Sequence, residues 1–174
     1  LENAPEAIWV QDVVGTFLDG NKQAEELTGY KKEELIGKNM LEILVPPESI
    51  PRLMEAFKPN EHGGISGPTE LELIRKDGSL VSVEASTIPI GRNGKIEIIG
   101  IARDITERKK AEEALKESEK RFRELSDLLP EIVFETDATG RLTFVNQIAF
   151  DRFGYTPKDF DKGVNALQML IPED

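Results

Sequence analysis

Apolar residues recur along this chain in two rhythms, and the change from one to the other divides it. From Thr69 to Arg75 the pattern alternates, with Leu71 and Leu73 to one side and Glu70 and Glu72 to the other, as in a strand with one buried face. Asp77-Gly78 then predicts a two-residue hairpin turn into a strand from Ser79 to Ile90, and Asn93-Gly94 predicts another into a strand from Lys95 to Asp104. Ile98, Gly100 and Ala102 fall on one face of that last strand, and Ile99 and Ile101 on the other. Both faces are apolar, so the outer one needs a cover: the helix that follows, a helix preceding Leu1, or a second subunit.

Past Asp104 the rhythm changes. Glu107 to Leu129 holds no Pro or Gly and is rich in Ala, Leu, Glu, Lys and Arg, which predicts one long helix broken at Pro130. Ala111, Leu115, Ser118, Phe122, Leu125 and Leu129 recur at steps of four and three, a coiled-coil seam on which Ser118 and the upstream Arg108 also lie. A helix of about 20 residues is marginal alone, so the seam packs on its own sheet or on the same helix of a second chain. Asp104 or Thr106 can cap the helix start, and Asp104 with Glu107 has capping-box spacing.

The chain also repeats itself. An offset of 125 aligns Pro5-Glu6 with Pro130-Glu131, Asp12 and Gly15 with Asp137 and Gly140, Asn21 and Ala24 with Asn146 and Ala149, Gly29-Tyr30 with Gly154-Tyr155, and Pro47-Glu48 with Pro172-Glu173. Each copy reads as a strand, an Asp-x-x-Gly turn, a second strand, and a helix begun by Asn and ended by Gly. A helical turn at Lys32 to Leu35 and a helix from Pro47 to about Phe57 follow in the first copy, before a Gly- and Pro-rich loop from Lys58 to Pro68. Only that copy continues into the three longer strands. The second should therefore expose its inner face, unless another chain or further strands cover it.

Composition narrows the chemistry. A net charge of −11 argues against a phosphate-binding surface, and the stretch from Ile105 to Leu129 is itself neutral, so the excess acid sits on the flanking modules. No nucleic-acid partner is expected. There is no apolar run of membrane-spanning length and no signal-peptide pattern, which suits a cytoplasmic segment of a longer protein. The absence of Cys excludes disulfides, thiolate metal sites and cysteinyl-flavin adducts. Adjacent acids such as Glu25-Glu26 and Glu112-Glu113 do not share a helix face, and no nucleophile elbow, phosphate loop or metal cluster stands out, so no enzymatic activity is expected of this segment.

Asp12-x-x-Gly15, Asn21-x-x-Ala24, Gly29-Tyr30, Leu35-Ile36-Gly37, Arg75-Lys76-Asp77-Gly78-Ser79 and Gly100-Ile101-Ala102-Arg103-Asp104-Ile105-Thr106-Glu107-Arg108, in this order, resemble the PAS family of sensory modules. The resemblance implies an α+β fold: a five-stranded antiparallel sheet with helices on one face, then a long connecting helix and the first half of a second PAS module. The divisions expected are a PAS domain at 1–104, a signalling linker helix at 105–129 and the N-terminal half of a second PAS domain at 130–174. It also implies a small-molecule cavity between sheet and helices, and a relay through the Asp104 to Thr106 junction into a downstream output such as a histidine kinase or diguanylate cyclase.

Candidate cavity-lining residues are Leu53, Met54, Phe57, Leu71, Leu73, Val83 and Ala85, each of which plain core packing would also explain. Asp104 and Thr106 are the candidate relay, and Ala111, Leu115, Phe122, Leu125 and Leu129 the candidate dimer seam. Haem-binding members of the family place an axial His on the helix before the loop, where this chain has Leu, Met and Phe, so haem is not expected. His62 reads as a solvated loop residue, neither metal ligand nor phosphoacceptor. A non-covalent flavin, against which Trp9 could stack, or a small metabolite stays open as ligand. The expected partners are a second copy of the chain and an output domain in the same protein. The competing reading is a ligand-free PAS module that serves dimerisation or docking.

Overall fold

A computed structural model of the chain describes residues 2, 4–57, 64–92, 94–154, 156, 158, 160 and 163–166, with Phe57 described by its backbone alone. It divides into two compact units, Leu1–Ala111 and Glu112–Asp174.

In the first unit, strands β1 (Ala7–Asp12) and β2 (Phe17–Gly20) precede four short helices: α1 (Lys22–Thr28), α2 (Lys32–Leu35), α3 (Met40–Leu44) and α4 (Ile50–Phe57). Strands β3 (Ser66–Ile74), β4 (Leu80–Arg92) and β5 (Lys95–Asp104) complete a five-stranded antiparallel sheet in the order β2-β1-β5-β4-β3. The first strand thus lies between the second and the last, with the N-terminal hairpin forming one edge of the sheet and the helices closing one face.

Local chemistry accounts for these elements. Asn21 caps α1 by accepting from the Ala24 N–H at 3.0 Å. Asp12 accepts from the N–H groups of Val14 and Thr16, and so shapes the turn between β1 and β2. The β3–β4 connection differs from the two-residue turn expected at Asp77-Gly78. Arg75 bonds to the Ser79 carbonyl, Gly78 returns its N–H to Arg75, and Gly78 takes a left-handed φ of 84°. That is a three-residue loop ending in a glycine bulge, because Asp77 accepts from the Ser79 N–H and holds the extra residue in place. The pairing of Arg92 with Lys95 leaves two residues between β4 and β5.

The core lies between the sheet and the helices. Leu44, Val81, Val83 and Ala102 are almost wholly buried, with Leu53, Leu73 and Ala85 beside them. Across the inner face, Ala7, Ala102 and Ala85 form one row and Trp9, Gly100 and Thr87 the next. On the outer face Ile8 and Val10 are buried too, paired with Ile101 and Ile99.

The chain then runs into α5 (Thr106–Asp127), whose end falls just short of Leu129. In the second unit, β6 (Phe134–Thr136) and β7 (Leu142–Val145) form a hairpin followed by α6 (Gln147–Phe153). Asp137 repeats the role of Asp12 by accepting from the N–H groups of Thr139 and Arg141. An apolar hollow of about 270 Å³ lies on its inner face, lined by Ile132, Leu142 and Phe150 among others, with Phe134 and Phe153 about half exposed at its edge. Among the described residues, the second copy's inner face is therefore open.

Candidate functional site: the core cavity and the sheet-to-helix junction

The inner faces of the sheet and of α1, α3 and α4 enclose a cavity of about 60 Å³. Leu53, Leu71, Leu73, Val83 and Ala85 line it, with Trp9, Gln11, Ala24, Leu27, Thr28 and Thr87. Met54, expected among the lining residues, is instead 58% exposed and outside the cavity. The reason is helical geometry: one residue on from the inward Leu53 turns the side chain by about 100°. The side chains of Phe57 and His62 lie outside the described residues.

Trp9 takes up the space that the small neighbouring residues leave. Its ring lies against Gly100, where a Cβ would overlap it, and its indole N–H donates to Gln11 Oε1 at 2.9 Å. Gly is needed at 100 because the ring approaches the backbone itself. Ligand pockets of drug-sized molecules measure about 300–1,000 Å³. The residues here do not fit a flavin ring or a haem alongside Trp9, and the described residues hold no group of three or more His, Cys, Asp or Glu placed for a metal ion.

The second part of the site is the end of β5. Asp104 Oδ1 accepts from the Thr106 N–H at 2.8 Å and so caps the start of α5. Its other oxygen lies 3.3 Å from Arg75 Nη2, while Arg75 Nη1 donates to the Glu26 carbonyl of α1 at 3.3 Å. One guanidinium thus joins the helix over the cavity to the cap of the outgoing helix. Ile105, buried at the junction, gives its N–H to Ser82 of β4 and its carbonyl to Lys109 as the first helical bond. Glu107 turns to Lys110 at 3.0 Å rather than back toward Asp104, and Thr106 Oγ1 is buried with no hydrogen-bond partner among the described residues. Glu70 of β3 accepts from Arg108 and pairs with Lys109, at 2.7 and 3.1 Å, and these cations hold its carboxyl below the usual range, Lys109 most of all. Sequence reasoning missed Arg75, whose partners lie 49 and 29 residues away; its place in the hairpin motif was the only signal.

Along α5, and just past its end, the seam residues Ala111, Leu115, Phe122, Leu125 and Leu129 all stand exposed. Phe122 also packs on Phe144 of β7, ring centroids 5.4 Å apart, and Arg123 lies over the same ring. No helix among the described residues is long and apolar enough to cross a membrane.

Comparison with known proteins fits this geometry. A PAS domain model matches residues 5–107, and a second PAS domain model matches residues 120–174. The oxygen sensor protein DosP of Escherichia coli is 31% identical over 139 residues, 78% of this chain and 17% of DosP. The methyl sulfide methyltransferase-associated sensor of Methanosarcina acetivorans is 32% identical over 114 residues, 65% of this chain and 11% of that protein. The chain therefore spans less than a fifth of the length of these curated relatives. Among solved structures, the PAS domain of a protein from Colwellia psychrerythraea is 32% identical with a TM-score of 0.55, over 61% of this chain and 91% of that one. A five-stranded antiparallel sheet in the order 2-1-5-4-3, helices closing one face and a capped helix leaving the last strand go with these matches: the chain belongs to the PAS domain family.

Proposed function

We propose that the chain is the sensory and regulatory part of a longer cytoplasmic signalling protein, in which the state of the first PAS module is relayed through Asp104 to Thr106 and along α5 to a downstream output such as a histidine kinase. The observation that carries this is the Arg75 connection. Ala24, Leu27 and Thr28 of α1 line the cavity, Arg75 holds the α1 carbonyl at Glu26, and the same guanidinium holds Asp104. A shift of α1 against the sheet changes the contact that caps α5. A signal moves the equilibrium between two arrangements of that helix only by as much as it stabilises one over the other. In full-length protein, Asp104→Ala is expected to lose the signal-dependent change in output; wild-type switching would remove the relay.

The closed interior favours the competing reading, a module that holds no ligand. With Trp9 in place and about 60 Å³ left beside it, the first module works by packing, as a dimerisation and docking unit without a bound flavin, haem or larger metabolite. The exposed seam of α5 supports pairing with the same helix of a second copy. Native mass spectrometry and absorption spectroscopy of the purified protein are expected to show the mass of the bare chain and no visible band. A stoichiometric small molecule would return the ligand-binding form of the reading.

A further inference from the structure

At the far end of α5 two helices exchange caps. Ser126 is buried in a helix that is otherwise almost wholly exposed, and its carbonyl accepts from Asn146 Nδ2 at 2.8 Å. Asn146 is the residue that begins α6. In return, Asp127, the last residue of α5, accepts from the N–H of Gln147, the first residue of α6, at 2.7 Å. Each helix thus supplies the side chain that satisfies an end group of the other.

The internal repeat shows which bonds of Asn146 are shared with the first copy. In the first copy Asn21 caps its own helix through Ala24 and accepts from the Ile8 N–H, while its amide donates to the Glu6 carbonyl. Asn146 keeps the equivalents of two of these bonds, accepting from Val133 and donating to Glu131. It makes no side-chain cap to α6; that task passes to Asp127, and the Asn146 amide also reaches the linker helix. Asn146 is fully buried, so both of its donor directions and its acceptor are committed.

We propose that this reciprocal cap is a coupling joint: the last turn of α5 and the first turn of α6 form and move as one body, so that motion of the linker reaches the second module through Asn146 and Asp127. The proposal rests on the relay reading for its purpose and on the cap geometry for its existence. Asn146 and Asp127 are positioning residues, and α6 in turn carries Ala149 and Phe150 into the apolar hollow.

Hydrogen exchange of the full chain tests it without any signal or output, so failure of the joint is distinguishable from failure of the relay. The Leu129 amide, which donates to Ser126, reports the end of α5, and the Ala149 amide reports the start of α6. Asp127→Ala is expected to speed exchange about tenfold at both amides, although Asp127 bonds to neither. Asn146→Ala should do the same, and the double variant should stay near tenfold rather than reach a hundredfold. Asp127→Asn, which retains an oxygen acceptor, should return both amides to wild-type rates. The joint is overturned if Asp127→Ala alters exchange only beside Gln147, or if the effects of the two substitutions multiply. Should Asn146→Ala fail to fold, the exposed Asp127 pair of variants decides the matter alone.

Discussion

At Gly100 even a methyl group would overlap the Trp9 ring, so Gly100→Ala is expected to force the indole from its place at a cost of about 1–3 kcal/mol. Trp9 is the only Trp in the chain, and its fluorescence reports the change directly. A red-shifted emission with a lower melting temperature is expected; an unshifted spectrum would show that Trp9 does not fill the interior. Glu25 gives a second test. Its carboxylate accepts from the Lys32 N–H and pairs with Lys22 and Lys31, which hold its pKa at about 2 against an ordinary 4.5. Because the folded value is the lower one, the contribution is fully present above about pH 4.5 and is lost as the pH falls toward 2. Glu25→Gln should therefore be less stable than wild type at neutral pH, with the difference narrowing across that window in acid titrations of unfolding. Alternation in the sequence was enough to place Leu71, Leu73, Val83 and Ala85 on the inner face. The Trp9–Gly100 contact was beyond it, since it depends on the register between strands more than 90 residues apart.

Among the elements, the strands announced themselves through alternation and turn residues, and the long helix through composition. The short helix α3 did not. It has five residues, and its start is set by the Asn39 side chain, which accepts from the Leu41 N–H. Met54 fails as a lining residue because a helical residue and its immediate neighbour point about 100° apart, so it does not share the inward face of Leu53. For α5 the spacing of the seam was legible but its partner was not, since a one-chain pattern does not distinguish an intramolecular from an intermolecular contact. Leu115 is 61% exposed and Leu125 57%. Sedimentation of Leu115→Glu and Leu125→Glu is expected to show a loss of dimer with little change in the melting of the first module. A wild-type chain that is monomeric at every concentration would contradict the pairing of α5.

The chain comprises two compact units, and the core of the first is far better closed than that of the second. Leu44→Ala should cost about 2–5 kcal/mol in the first unit, and calorimetry should show one transition lowered while the other stays in place. The internal repeat made the two-module plan legible, yet the means by which the first module reaches α5 was not, because Arg75, Glu26 and Asp104 meet only after the sheet has formed. That meeting is the centre of the account. It is tested most directly by a double-mutant cycle on signal-dependent output in the full-length protein, using Arg75→Ala and Asp104→Asn, the second of which keeps an oxygen to cap Thr106. Each substitution is expected to reduce switching several-fold, and the pair no further than the worse single change. Wild-type switching in either variant, or losses that multiply, would contradict a relay through this contact.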